Sequence, residues 1–299
     1  MTRTVKEADR EKVAERLLKG SAKHSYDPQI DVDWDAPLDP DKFFLPPRLL
    51  SLYGTPLWES MTREQRIELS RQEMANIMSV GLWFENILNQ ALLRKLLSDD
   101  PTTRHSQYAL TEMGDECRHM LMFGKLIDRV GARPYRKSPL RLTVIKTLPF
   151  TFRGTMLWVA ALIGEEIFDA LQRDMMDDPE LQPIVRQVMR IHVTEEARHI
   201  TYARQGVVRR MARSGRLEKE LTGRLAGLGG PFMDLQFINP EMYRRAGLDP
   251  REAVRQARAN PHHRRSRIDG FAKLAAFLRE NDVLKGSAVR LWRRAGFLA

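Results

Sequence analysis

The stretch IMSVGLWFENILNQALL, from Ile77 to Leu93, carries a single ionisable side chain, Glu85. Between Gly154 and Ile167 the situation recurs, and the only ionisable groups are the neighbours Glu165 and Glu166. Segments this apolar must be buried, and a buried carboxylate left alone either gives up its charge or meets a cation or a metal. The chain is therefore constrained to a fold that delivers positive partners to carboxylates in its own interior.

The partners are visible in a repeated element, DECRH at 115–119 and EEARH at 195–199. In each copy a glutamate and a histidine stand three residues apart, Glu116 with His119 and Glu196 with His199, so each pair projects from one face of a helix. One glutamate from each of two helices and a Glu-x-x-His pair from each of two others make the ligand set of a dinuclear metal site in a four-helix bundle. Glu85, Glu116, His119, Glu165, Glu196 and His199 fill that set. His192 extends it: at about 100° per residue, His192, Glu196 and His199 fall within about 60° of one another, which turns a third imidazole toward the same site. On the third helix Glu166 competes with Glu165. Glu165 is favoured because it shares a face with Trp158, Ala161, Leu162 and Phe168, whereas the face of Glu166 continues toward Arg173.

Cap and break signals place these residues on four long helices. Thr62 with Gln65 three residues later predicts a helix start, and the pattern runs to about Leu97 before SDDP. Further runs cover about 103–130, closed by Gly131, then about 152–176 and about 179–213, with ARPYRKSPL as a break between the second and third. No stretch alternates with the period of a strand hairpin, so the expected architecture is all-α. Residues 1–47, polar and punctuated by proline, read as an extended N-terminal arm, 48–213 as the metal-binding bundle, and 214–299 as a basic extension of shorter helices packed on it.

The net charge of +10 is concentrated toward the C-terminus: from Gly206 to Ala299, 20 Lys and Arg face 9 Asp and Glu. Clusters such as HHRRSR at 262–267 read as solvated surface, and no nucleic-acid partner is expected. The single cysteine, Cys117, excludes an internal disulfide and reads as a small buried hydrophobe. The charged N-terminus has no secretory pattern, and the longest membrane-like run, GTMLWVAALIG, is about half of the roughly 20 residues that cross a bilayer. A cytoplasmic protein without a membrane partner is expected.

The chain resembles the p-aminobenzoate N-oxygenase-like diiron proteins, a ferritin-like family that oxidises arylamines. The resemblance rests on WFENILNQ around Glu85, DECRH, GEEIFD at 164–169 and HVTEEARH at 192–199, and spans about residues 60–210. It implies a ligand set of Glu85, Glu116, His119, Glu165, His192, Glu196 and His199, a ferritin-like bundle and a homodimer. The extra histidine is its most specific mark. No substrate-binding residue of that family is matched to a position here.

Carboxylates and imidazoles without thiolates suit two iron ions, with manganese or a mixed Mn/Fe pair as alternatives. The expected activity is an O2-dependent diiron oxygenase that N-oxygenates or hydroxylates a small aromatic or amine substrate, with electrons from an external donor. A ribonucleotide-reductase-like radical generator would want a tyrosine four residues after His119, where Phe123 stands, and Tyr202 reads as a structural hydroxyl. Iron storage or peroxide disposal gives no reason for a third histidine. Asp115 and Glu195, each preceding a ligand glutamate, are placed to accept the free N–H of a ligand histidine, and Arg118 and Arg198 to balance the charge.

Overall fold

The protein, seen in a computed structural model that describes residues 3–299, is helical, with no strand among the described residues. Its helices are α1 (Arg3–Lys23), α2 (Pro56–Glu59), α3 (Arg63–Leu96), α4 (Arg104–Arg129), α5 (Pro139–Thr151), α6 (Gly154–Arg173), α7 (Pro183–Arg213), α8 (Arg216–Phe237), α9 (Pro240–Arg245), α10 (Pro250–Ala259), α11 (Pro261–Gly270), α12 (Ala272–Glu280) and α13 (Ser287–Arg294). Among the described residues no helix is long and apolar enough to cross a membrane. The four-helix core is α3, α4, α6 and α7: α3 packs on α4, α6 on α7, and the pairs meet through α4 with α7 and α3 with α6.

Local chemistry fixes where these helices begin. Thr62 accepts from the Gln65 amide at 3.3 Å while the Gln65 side chain accepts from the Thr62 amide at 2.9 Å, a reciprocal cap that starts α3. Thr103 caps α4 by accepting from the Ser106 amide at 3.2 Å. Gly131, at φ +68°, follows the end of α4 in the left-handed region. The closest approach between α3 and α6 also depends on a glycine. A Cβ on Gly164 would lie 1.6 Å from the Phe84 ring, so only a bare backbone lets that ring seat itself one residue from both Glu85 and Glu165.

Two segments differ from the sequence reading. The N-terminal arm is helical over its first part, because Ala14 and Leu17 recur at helical spacing and are buried as α1 lies along α4 and α7. Its irregular remainder crosses the bundle as a strap, with Phe43 donating to the Glu180 carbonyl at 3.0 Å and accepting from the Gln182 amide at 2.9 Å. The second departure is α5, which falls where the pattern predicted a break. Only Ile145 and Pro149 are buried on it, so it has no apolar period to read; Ser138 and Pro139 nonetheless form a good helix start.

The C-terminal helices complete the core. Trp292 of α13 is fully buried and donates from its indole to the Ala226 carbonyl of α8 at 2.9 Å. A buried polar knot ties the strap to the bundle: the Glu73 carboxyl on α3 accepts from the Ser51 amide at 3.1 Å and from its hydroxyl at 2.5 Å, and the same hydroxyl meets the Tyr243 hydroxyl of α9 at 2.8 Å.

Burial raises the Glu73 carboxyl to about 7 against the opposing bonds from Ser51. Between its ordinary value and pH 7 the native chain thus keeps a proton that the unfolded chain has released, and native stability falls as pH rises through that window. Glu73→Gln keeps an acceptor for Ser51 and removes the titration. Urea unfolding should show that the variant lacks about 2–3 kcal/mol of the wild-type loss between pH 5 and pH 8. Parallel pH profiles for the two proteins would refute this account of Glu73.

Candidate metal centre

The seven residues singled out by spacing lie on α3, α4, α6 and α7 and each is at most 3% exposed; six of them fall into two groups of candidate ligand atoms, and Glu165 is in neither. One donor atom from each of Glu116, His119, Glu196 and His199 lies within 4.8 Å of the others, and Glu85, His119 and His192 form a second group that shares His119. Each helix contributes what its register allows: α3 gives Glu85, α4 gives Glu116 and His119, α6 gives Glu165, and α7 gives His192, Glu196 and His199.

The imidazoles are oriented by a crossed set of contacts. His119 on α4 donates from Nε2 to Glu195 on α7 at 2.8 Å, while His199 on α7 donates from Nε2 to Asp115 on α4 at 3.2 Å. A carboxylate can only accept, so each outer nitrogen is the donor, which turns Nδ1 of both rings toward the inner carboxylates; there His119 Nδ1 also donates, to Glu116. There His119 Nδ1 is 2.9 Å from Glu116 and 3.3 Å from Glu196, and His199 Nδ1 is 2.9 Å from Glu116 and 3.3 Å from Glu196. Arg118 pairs with Asp115, and Arg198 lies 3.6 Å from Asp115 and 3.7 Å from Glu195, so both cations serve the outer carboxylates.

A metal pair fits this donor set on structural grounds. Glu85 Oε2, Glu116 Oε1, Glu165 Oε1, His192 Nδ1, both oxygens of Glu196 and His199 Nδ1 are buried without a hydrogen-bond partner. Some are close, as His199 Nδ1 is to Glu116 Oε1 at 2.9 Å, yet they are not aligned for a hydrogen bond. Orphaned buried carboxylate oxygens cost on the order of 1–3 kcal/mol each, and those of Glu85, Glu116, Glu165 and Glu196 together offer a cation its ligands.

The electrostatics point the same way. Burial, reinforced by the Glu116 charge, pushes the Glu85 carboxyl well up, and burial with the Glu196 and Glu116 charges does the same to Glu165. Burial would lower His199 and His119, but the facing carboxylates outweigh it and raise both. Burial takes His192 down to about 3, so this third imidazole is neutral and able to ligate. Without a cation the pocket is kept neutral by protons on Glu85, Glu165, His119 and His199, and bound metal ions would displace those protons.

Glu165 and Glu166 are separated by their surroundings. Both oxygens of Glu166 are engaged by Arg204, at 2.6 and 2.8 Å, whereas Glu165 keeps a free oxygen in the interior. Cys117 is not buried as expected but exposed. One residue on from Glu116 is a rotation of about 100°, which carries it out of the bundle. Tyr202 does hold a structural bond, donating to the His105 carbonyl at 3.0 Å. Sequence reasoning missed Glu112, one turn before Glu116 on α4, which is buried with Oε2 unpartnered and raised by that burial. Its spacing from Glu116 was the available signal.

Comparison with known proteins adds the context. The sequence profile of a family described as p-aminobenzoate N-oxygenase AurF matches residues 7–282. An uncharacterized protein of Mycobacterium tuberculosis is 34% identical over 215 residues, covering 68% of this chain, as is one of Mycobacterium bovis. The match spans 62% of the length of those relatives. Among solved structures, a mutant R2-like ligand-binding oxidase with an aerobically reconstituted Mn/Fe cofactor aligns over 97% of this chain and 94% of its own, at 12% identity and a TM-score of 0.38. That likeness is too loose to bear on the site.

Two measurements test the centre. Glu116→Ala and Glu196→Ala should each lose most of a content of about two transition-metal ions per chain by elemental analysis; full occupancy in both would remove the dinuclear assignment. Asp115→Asn and Glu195→Gln should keep the fold and lower metal affinity about 10–100-fold in chelator competition.

Proposed function

Because this chain belongs to the p-aminobenzoate N-oxygenase AurF family, we propose that it is an O2-dependent diiron oxygenase that N-oxygenates or hydroxylates a small aromatic or amine substrate. The observation that carries the reading is the third imidazole: His192 reaches the same interior as the six template residues, 3.2 Å from Glu85 and 3.4 Å from Glu196. Iron storage needs no such ligand. The radical-generating alternative is weakened by Phe123, whose ring packs 4.8 Å from that of His192 where a tyrosine would be needed.

Glu85, Glu116, His119, Glu165, His192, Glu196 and His199 would hold the two ions, iron in this reading, with carboxylate oxygens and imidazole nitrogens that also suit manganese. When bound, the ions supply electrons to O2 and so oxidise the substrate. The chain's own contribution is positional. Asp115 and Glu195 hold His199 and His119 by their outer nitrogens, and Glu85, Glu165 and Glu196 keep buried oxygens without a hydrogen-bond partner that would be available as ligands. Phe84, Phe123 and Phe168, all buried beside the set, exclude water that would intercept a reactive species. An external one-electron donor, a homodimeric assembly and a cytoplasmic location belong to the same proposal.

Anaerobic loading with ferrous iron followed by O2 tests the activity. The expected result is a transient absorption band that decays faster with an arylamine present, together with an oxidised amine product. Uptake of iron far beyond two ions with no effect of the amine would assign storage instead. His192→Ala should retain the fold and much of the metal, alter the spectrum of the loaded protein and slow amine oxidation. Were His192 only a core residue, its replacement would cost about 1–3 kcal/mol of stability and leave the spectrum unchanged.

A further inference from the structure

A pocket of about 500 Å³ opens where the end of α3 meets the start of α6. Arg94, Lys95, Arg153 and Arg210 line it, and the one acidic side chain in its wall, Asp99, is tied to Lys95. Glu218 stands nearby but is already engaged: it accepts from the Thr155 amide at 3.0 Å and hydroxyl at 2.7 Å, and lies 3.8 Å from Arg210. The cationic character continues along the chain, since no Asp or Glu occurs between Asp128 and Glu165 while seven Lys and Arg do, from Arg129 to Arg153.

Trp158 lines this pocket, and what packs against it separates the site from an ordinary basic depression. Trp158 is 4% exposed, and its indole packs edge-on against the Tyr202 ring at 5.1 Å, which in turn meets the Tyr108 ring at 4.8 Å. Tyr202 stands three residues beyond His199 on α7, a rise of about 4.5 Å. Trp158 stands seven residues before Glu165 on α6, about 10 Å along the helix. The contact is shaped for the ring: a Cβ on Gly206 would sit 2.2 Å from Trp158, so α7 presents bare backbone there. An oxidisable aromatic series therefore runs from the surface pocket to the helix turn that carries His199.

We infer that this pocket is the docking point of an acidic one-electron carrier protein, with Trp158 as the contact through which electrons reach the centre. The inference rests on the diiron reading above. In each transfer the carrier's iron–sulfur cluster or flavin loses one electron and one ferric ion gains it; two transfers restore the ferrous pair, and no covalent bond is made or broken. Carrier encounters of this kind use small interfaces steered by opposite charge. A small anion would satisfy the arginines but would give the buried aromatic series nothing to do.

The test separates docking from chemistry. Titration calorimetry of metal-free protein with a plant-type [2Fe–2S] ferredoxin should show binding that weakens about tenfold or more from about 50 mM to about 500 mM salt, and similarly in an Arg94→Glu, Arg153→Glu double variant. In iron-loaded ferric protein, stopped-flow reduction by that ferredoxin should slow about tenfold or more in the double variant and in Trp158→Leu, while reduction by dithionite stays at the wild-type rate. Trp158→Phe, which keeps the packing, separates loss of the indole from loss of the fold. Ferredoxin binding without any iron reduction would keep the docking site and count against the diiron reading. The inference is overturned if neither ferredoxin nor an acidic flavodoxin binds, if the charge-reversed variant binds and is reduced as the wild type is, or if inorganic phosphate alone saturates the pocket.

Discussion

Two hydrogen bonds cross between α4 and α7, and the arrangement of the centre follows from them. Glu195 holds His119 and Asp115 holds His199, so each helix orients the imidazole of the other. The exchange makes the two ligand helices mutually dependent: a slip of either by one residue would lose its own glutamate and release its partner's histidine. It also settles which nitrogen faces inward, and no backbone group has to supply that constraint. The rest of the bundle holds this pair in register. α3 and α6 close the remaining sides with one inward carboxylate each.

The electrostatic cost of the design is concentrated where it has a use. Four inner carboxylates and two outer ones are buried beside three imidazoles, with Arg118 and Arg198 reaching the outer pair. A cluster of this composition would be a fault in an ordinary core, because unpaired buried charge opposes folding. Here protons on Glu85 and Glu165 hold the place that metal ions would take, so metal affinity, folding and pH are linked.

Much of this was legible in the sequence because helices convert chemistry into spacing. Glu116 with His119, and His192 with Glu196 and His199, share faces by arithmetic alone, and the isolation of Glu85 in an apolar stretch marks it as inward. What was not legible depends on contacts between distant segments. That Asp115 serves His199 across the bundle, on another helix, cannot be read from either motif alone. The choice between Glu165 and Glu166 turned on Arg204, a partner 38 residues away. α5 escaped notice because it buries almost nothing, and α1 because its few apolar positions are diluted among charges. Cys117 was misplaced through composition, although its offset from Glu116 already pointed outward.

The seating of Phe84 on Gly164 has a consequence for how such a protein can diverge. The two residues adjoin Glu85 and Glu165, and the ring occupies the volume that any side chain at 164 would need. Substitution at 164 is closed for as long as the ring is there, while shrinkage at 84 is open at any time and leaves a void beside the metals. The permitted mutational order is therefore one-way: the aromatic gives way first, and only afterwards can the glycine accept a side chain.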